Sequence, residues 1–422
     1  MKAVALGVIA DDFTGATDVA GMLVQAGMET LLTIGVPQES AALEADAVVV
    51  ALKSRTAPAA DAVQASLAAL ARLRSAGCTR FYFKVCSTFD STPRGNIGPV
   101  AEALMAALGT DFTIACPAFP ENGRSVYRGH LFVGDLLLSD TGMREHPLTP
   151  MTDANLVRWL QAQTALRVGL LRQDAVAAGA DAVTARMNAL RAEGVRIAIA
   201  DAIDNEDLRS LGAACAALPL LIAGSGLALG LPAAYAARGW VQRDASAAAL
   251  PAVGGHAAVL SGSCSTATNA QVQHWLQSGR PAFRVDALQL AERAPLAAQA
   301  LAWAEARLGD GPVLIYATAR ADEVKATQQQ LGAEHAGALV EACLAAIATG
   351  LHERGVRRLV VAGGETSGAV VQALQVRQLR VGATIDPGVP WTQAIGRPLL
   401  LALKSGNFGS VDFFAKALGL VQ

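Results

Sequence analysis

Two α/β domains, each with a mostly parallel sheet flanked by helices and the pair facing across a cleft, are predicted by three observations. The chain has 422 residues, beyond the length at which a single hydrophobic core stops growing, so it should divide. Short apolar runs rich in Val and Ile alternate with longer Ala- and Leu-rich stretches of helical period, the pattern of strands joined by crossover helices. Polar or glycine-bearing segments follow directly on those runs, and parallel topology gathers such exits on one sheet edge, where open α/β sheets bind ligands.

In the first half, strands are predicted at 4–10, 47–51, 80–85, 112–116, 168–171, 195–200 and 218–223, with helical patterns such as 61–76 and 181–193 between them. Lys2 precedes the first run, but Asp11 and Asp12 stand where a signal peptide needs small residues, so the start reads as a folded strand. The charge-free stretch between Arg209 and Arg238 mimics a membrane span in composition. Pro219, Gly224, Gly226, Gly230 and Pro232 would break a helix there, and 218–223 reads as a buried strand. The pattern lapses over 238–256, which sets the domains at 1–245 and 246–422. The second half resumes with strands at 257–260, 313–316, 359–362 and 399–403 and helices at 268–277, 337–354 and 367–375.

The first strand ends on Asp11-Asp12-Phe13-Thr14-Gly15. Either acid or Thr14 could merely cap the next helix, but two acids with Thr and Gly beside them also suit a hydroxylated or anionic ligand. The exit of strand 80–85 is denser: Lys84, Ser87, Thr88, Asp90, Ser91, Arg94 and Asn96 supply cations for a carboxylate and short donors and acceptors for hydroxyls. Lys53-Ser54-Arg55-Thr56 and Pro117-Ala118-Phe119-Pro120-Glu121-Asn122-Gly123-Arg124 leave two further strands. A small polyhydroxy acid fits this inventory. His130 reads more simply as structural, and Gly224-Ser225-Gly226 reads equally as a close-packing turn or a ligand contact.

In the second half, Ser261-Gly262-Ser263-Cys264-Ser265, Gly363-Gly364-Glu365-Thr366 and Lys404-Ser405-Gly406-Asn407 each follow a predicted strand. Glycine admits close backbone approach, and amides at such turns cradle phosphate. No Gly-Lys dipeptide occurs, which excludes a Walker-type loop, and no G-x-G-x-x-G dinucleotide fingerprint is formed by the Gly363 loop.

Hydrophobic residues make up 52% of the chain and charged residues 17%, with a net charge of -2. No basic field is available for nucleic acid. Six scattered cysteines form no C-x-x-C pair and the six histidines no ligand spacing, so reduced thiols, a cytoplasmic location and no dedicated metal site are expected. No membrane association is expected, and a homodimer is left open.

Taken together, Ile9 through Asp18, Lys84 through Val100, Pro150-Met151-Thr152-Asp153, Ser261 through Ser265, Val361 through Gly368, Pro387 through Trp391 and Leu401 through Gly409 resemble the four-carbon acid sugar kinases. Within them the likeness is greatest to members acting on 3-oxo-tetronate. The resemblance implies an N-terminal acid-sugar-binding domain, a C-terminal ATP-binding domain and phosphorylation of the 4-hydroxyl. It places ATP contacts at Ser261 or Ser263, at Gly363, Gly364, Glu365 and Thr366, and at Gly406. On that basis Asp12 or Asp11 is expected to deprotonate the hydroxyl. Arg55, Arg94 or Arg124 would hold the substrate carboxylate, with Thr14, Ser87, Thr88, Asp90, Ser91, Asn96 and Asn122 around it. Lys84 or Lys404 would neutralise the moving phosphoryl group, and Mg2+ would arrive on ATP. The rivals are a sugar-acid sensor without turnover, an aldolase or dehydrogenase of the same acids, and a kinase of threonate or erythronate.

Overall fold

The computed structural model describes residues 4–146 and 148–419; Lys2 and the extreme ends of the two expected domain ranges lie outside them. The chain separates into two compact units between Ala248 and Ala249.

In the first unit, β1 (Leu6–Ala10), β2 (Thr30–Ile34), β3 (Ala47–Ala51), β4 (Phe81–Lys84) and β5 (Thr113–Cys116) enter one sheet. The strands β6 (Arg124–Tyr127), β7 (His130–Val133) and β8 (Leu136–Leu137) form a separate antiparallel sheet. The chain then adds β9 (Val168–Leu171), β10 (Ile197–Ala200) and β11 (Leu220–Ala223) to the main one. The order is β2-β3-β1-β4-β11-β5-β10-β9, and every neighbouring pair is parallel. Leu6, Val8, Ile9, Val48, Val49 and Val50 are fully buried, as strands covered on both faces must be. Burial of each such side chain contributes about 1.5–3 kcal/mol.

From β1 the chain first places β2 two positions away, returns to fill the gap with β3, then crosses over to lay β4 on the other side of β1. That reversal makes the β1/β4 boundary the topological switch point, where a crevice opens beyond the strand ends. Ala10 and Lys84 are register partners there. The charge-free stretch before Arg238 contains β11, a 3-10 turn at Ser225–Leu229 and the short helix Leu231–Ala237.

In the second unit, β12 (His256–Ser261), β13 (Ala282–Arg284), β14 (Val313–Tyr316), β15 (Val356–Ala362), β16 (Gln378–Asp386), β17 (Val389–Ala394) and β18 (Leu400–Lys404) take the order β13-β14-β12-β15-β18-β17-β16. The first five in that order pair parallel, whereas β17 runs antiparallel to both β18 and β16. Trp275, Trp391, Phe413 and Phe414 anchor the core against this sheet. Helix Ala333–Glu353 is long and apolar enough by composition to cross a membrane; Cys343, Leu344, Ile347 and Leu351 are buried along it.

Candidate active site

Helix Phe13–Gln25 begins immediately after β1, and Asp12 is its N-cap: Oδ1 accepts from the Gly15 amide at 2.8 Å. Capping is therefore one of its jobs, but the second acid does something else. Asp11 accepts a bidentate pair from Arg55, Nε at 3.0 Å and Nη2 at 2.9 Å, and Arg55 Nη2 also lies 2.7 Å from Asp12 Oδ1. Such a fork uses two planar donors at once and fixes the guanidinium rigidly. The Asp11 side chain is 4% exposed and that of Asp12 is 27% exposed. Asp11 is thus committed to Arg55, while Asp12 remains open to a ligand.

The β3 exit is folded onto the same point, because the Asp11 carbonyl accepts from the Ser54 and Arg55 amides at 2.9 and 3.1 Å. Asn96 secures it from the far side, donating Nδ2 to the carbonyls of Ser54, Arg55 and Ala57 at 2.7, 3.2 and 3.0 Å. Asp90 Oδ2 lies 3.9 Å from Arg55 Nη1, and its other oxygen accepts from Thr88 Oγ1 at 2.6 Å. Between these two sits Phe89, fully buried with φ of +53°, a left-handed conformation that costs on the order of 1 kcal/mol or more for a non-glycine residue. The backbone is bent there to bring Thr88 and Asp90 to the site.

Lys84, 3% exposed, reaches the helix start from β4 and donates to the Val85 carbonyl at 2.7 Å. A Cβ on Gly15 would stand 2.7 Å from its Nζ and 2.5 Å from Asp12 Oδ1, so only glycine lets ammonium and carboxylate share the helix entrance. Burial pushes the Asp12 carboxyl above the usual carboxylate range; Arg55 and Lys84 oppose that and Asp11 adds to it. The balance leaves a carboxylate that accepts a proton more readily than a free one.

Among the sequence-predicted residues, some already spend their hydrogen-bonding capacity within the fold and others do not. The Ser91 hydroxyl donates to Phe89 and accepts from Trp159 and Gln163, and Asn96 is occupied as described. Arg55 is held by the two aspartates rather than offered alone to a substrate carboxylate. Arg94 is exposed at the loop tip. Arg124 donates Nη1 to the Asn122 carbonyl, while its buried Nε has no partner among the described residues. Thr14 and Ser87 are half-buried. Sequence reasoning missed Asp18, buried three residues after Gly15 on the same helical face. Its Oδ1 has no hydrogen-bond partner among the described residues, and burial raises its carboxyl against the pull of Lys84 and then Ser225. The spacing from Gly15 was the available signal.

In the second unit the three small-residue loops do converge. A Cβ on Gly262 would fall 2.2 Å from Thr366 Oγ1, and one on Gly406 would fall 2.4 Å from Ser263 Oγ. Gly363 has φ of +124° and packs against both Thr366 and Ser263. A cavity of about 420 Å³ opens from Gly262, Ser263, Gly363, Gly364, Glu365 and Thr366 toward an apolar end at Val285, Ala287, Val324, Ala336 and Val340. Small polar groups at one end and aliphatic walls at the other suit a phosphate tail and a flat heterocycle. Ser261 bonds Thr318 at 2.6 Å and is fully buried, so Ser263 is the serine presented. Lys404 is 1% exposed, and its ammonium is spent on Thr268 and the carbonyls of Ser405 and Gly406. Burial lowers its pKa to about 7. In this arrangement it braces its own loop.

Comparison with known proteins agrees with this division. Residues 6–231 match a family described as a sugar-binding N-terminal domain, and residues 258–414 one described as a nucleotide-binding C-terminal domain. The chain is 64% identical over 414 residues to a 3-oxo-tetronate kinase of Burkholderia multivorans, covering 98% of this chain and 96% of that one. A 3-oxo-tetronate kinase of Pseudomonas fluorescens is 63% identical over 417 residues, with the same coverages. Among solved structures, a Salmonella typhimurium LT2 protein described as a tRNA synthase superposes with a TM-score of 0.92 at 45% identity, covering 99% of this chain and 100% of that one. A Haemophilus influenzae protein of family DUF1537 gives 0.85 at 44%, with the same coverages. A sugar-binding unit joined to a nucleotide-binding unit defines a two-domain carbohydrate kinase. The chain belongs to the four-carbon acid sugar kinase family.

Proposed function

We propose that the protein is an ATP-dependent kinase that phosphorylates the 4-hydroxyl of 3-oxo-tetronate to give 3-oxo-tetronate 4-phosphate. The name shared by relatives 62–64% identical over nearly the whole chain supports the substrate. The observation that carries the chemistry is the unequal aspartate pair, one acid locked on Arg55 and the other accessible with a raised pKa.

Asp12 takes the hydroxyl proton as the substrate oxygen bonds to the γ-phosphorus and the bond to the β-phosphate bridge breaks, releasing ADP. Asp11 holds Arg55 beside Asp12, and the Arg55 charge keeps Asp12 ionised often enough to act. Lys84 supplies positive charge at the helix entrance. Thr14, Ser87, Thr88 and Asp90 bind the acid sugar's oxygens, and Arg124, with Arg94 at the rim, takes its carboxylate. Ser263, Gly363, Gly364, Thr366 and Gly406 hold the phosphates of ATP.

No cluster of three metal-ligating side chains occurs among the described residues. Glu365 lines the phosphate end of the cavity, a donor set that fits a Mg2+ held mainly by phosphate oxygens and water. The ion neutralises phosphate charge when bound. Small-molecule substrates and the lack of a basic field suit a cytoplasmic enzyme without nucleic-acid or membrane partners, and a homodimer is compatible with the role.

The test is ADP release from purified protein with Mg2+, ATP and a panel of four-carbon acids, with the product's phosphate position read by phosphorus NMR. Turnover confined to 3-oxo-tetronate, phosphorylated at C4, supports the proposal. Preference for threonate or erythronate reassigns the substrate, and tight acid binding without turnover replaces the kinase by a sensor.

A further inference from the structure

In the loop that leaves β18, most of the carbonyls are captured by hydrogen-bond donors. The Lys404 carbonyl accepts from the Gly363 amide at 2.9 Å, and that of Ser405 accepts from Lys404 Nζ at 2.8 Å. The Gly406 carbonyl is met by Ser265 Oγ at 2.6 Å, Thr268 Oγ1 at 2.8 Å and Lys404 Nζ at 3.1 Å. One side-chain amide completes the set: Gln271 Nε2 lies 3.0 Å from each of the Phe408, Gly409 and Ser410 carbonyls. Ser265, Thr268 and Gln271 all belong to the cap and first turns of helix Thr266–Gln277. Thr268 and Gln271 stand three residues apart on one face and are 0% and 1% exposed.

A trans peptide points its N–H opposite to its C=O. Capture of the Ser405 and Gly406 carbonyls therefore turns the following amides, those of Gly406 and Asn407, the other way. Neither amide has a partner among the described residues, whereas the Ser410 amide is taken by Asp386 at 2.8 Å. Two successive outward N–H groups form a concave anion-binding nest, and Gly406 packs against Ser263 at the phosphate end of the cavity.

We infer that Gln271 and Thr268 are positioning residues for nucleotide binding: Thr268 clamps the Gly406 carbonyl, which turns the Asn407 amide toward the phosphate, and Gln271 anchors the 408–410 end of the same loop so that the turn is held. Neither residue touches the ligand. Lys404 works from the same inner side as a strut. The inference rests on the second unit being the nucleotide site, and it assigns phosphate recognition there to backbone amides rather than to a lysine.

The test compares ADP with adenosine by titration calorimetry on the full chain. Gln271→Leu removes the triple donor at similar volume, and Thr268→Val removes one hydroxyl at nearly constant shape. Each should weaken ADP binding by about fivefold or more, the effect of losing one or two net hydrogen bonds, and leave adenosine binding within about twofold, because adenosine lacks the phosphate that reads the nest. Smaller ADP losses in both variants, equal losses for ADP and adenosine, or failure of both variants to melt cooperatively would overturn the inference. Wild-type protein that binds neither compound would instead strike down the nucleotide reading itself.

Discussion

The two units build the sites proposed for their anionic ligands by opposite means. In the first, charges are paired among themselves: Asp11 and Asp12 share Arg55, and Lys84 stands beside Asp12 at a helix entrance. In the second, buried Lys404 is spent on its own loop and glycine-rich backbone lines the proposed ligand side. The difference follows from the tasks. A group that must accept a proton needs a tuned side-chain charge, whereas a phosphate chain needs only fixed donors in a concave surface.

The comparison breaks most visibly at Asp12. Asp12→Asn should lower kcat by at least about 100-fold, the usual scale for a lost general base, with the KM for ATP little changed in steady-state assays. The melting temperature should hold or rise, because Asn caps helices as well as Asp. Burial raises the Asp12 pKa, so the folded state holds its proton more tightly and the ionised form opposes folding above the usual carboxylate range. An Asn carries no such charge. Retention of near-normal kcat would remove Asp12 from the base role.

Gly363→Ala probes the backbone side. At φ of +124° an alanine is strained by about 1–3 kcal/mol, so ADP affinity measured by calorimetry should fall by roughly tenfold while acid-sugar binding is unaltered. Asn96→Ala should act in the other unit, through Arg55. Losing three carbonyl partners costs about 1–3 kcal/mol, read as a lower urea midpoint, together with a several-fold rise in KM for the acid. The smallest effect belongs to Lys404. Its pKa is about 7 when folded against 10.5 as a free side chain, so folding releases a proton in between. Stability should therefore rise as pH increases from about 7 toward 10.5, and that slope should vanish from urea titrations of Lys404→Met.

The alternating strands and their exits were legible because apolar runs and glycine-bearing turns carry their own period. The strands β2, β13, β16 and β17 were not. Thr30–Ile34 follows a helix after only a few residues, and the sequence around Pro387-Gly388 did not advertise that it turns a hairpin whose second strand contains Pro390. The small β6–β8 sheet begins at Arg124, the last residue of what read as an exit loop, and runs on to Leu137. At the sites, residue type could not separate ligand-facing groups from structural ones. Ser91, Asn96, Ser261 and Lys404 have the chemistry of binding residues, yet their capacity is consumed within the fold. Gln271 was invisible for the converse reason, since nothing in a helical glutamine announces that three distant carbonyls converge on it.

Asp386, at the end of β16, accepts from both the amide and hydroxyl of Ser410 and is paired with Lys416. Lys416 lies on helix Phe413–Gly419, whose Phe413, Phe414, Ala417 and Leu418 are buried. The loop proposed to hold phosphate is thus tethered to an element that emerges from the ribosome after every described strand. During synthesis the acid-sugar unit can acquire its shape first, and competence toward nucleotide must wait until that helix has docked.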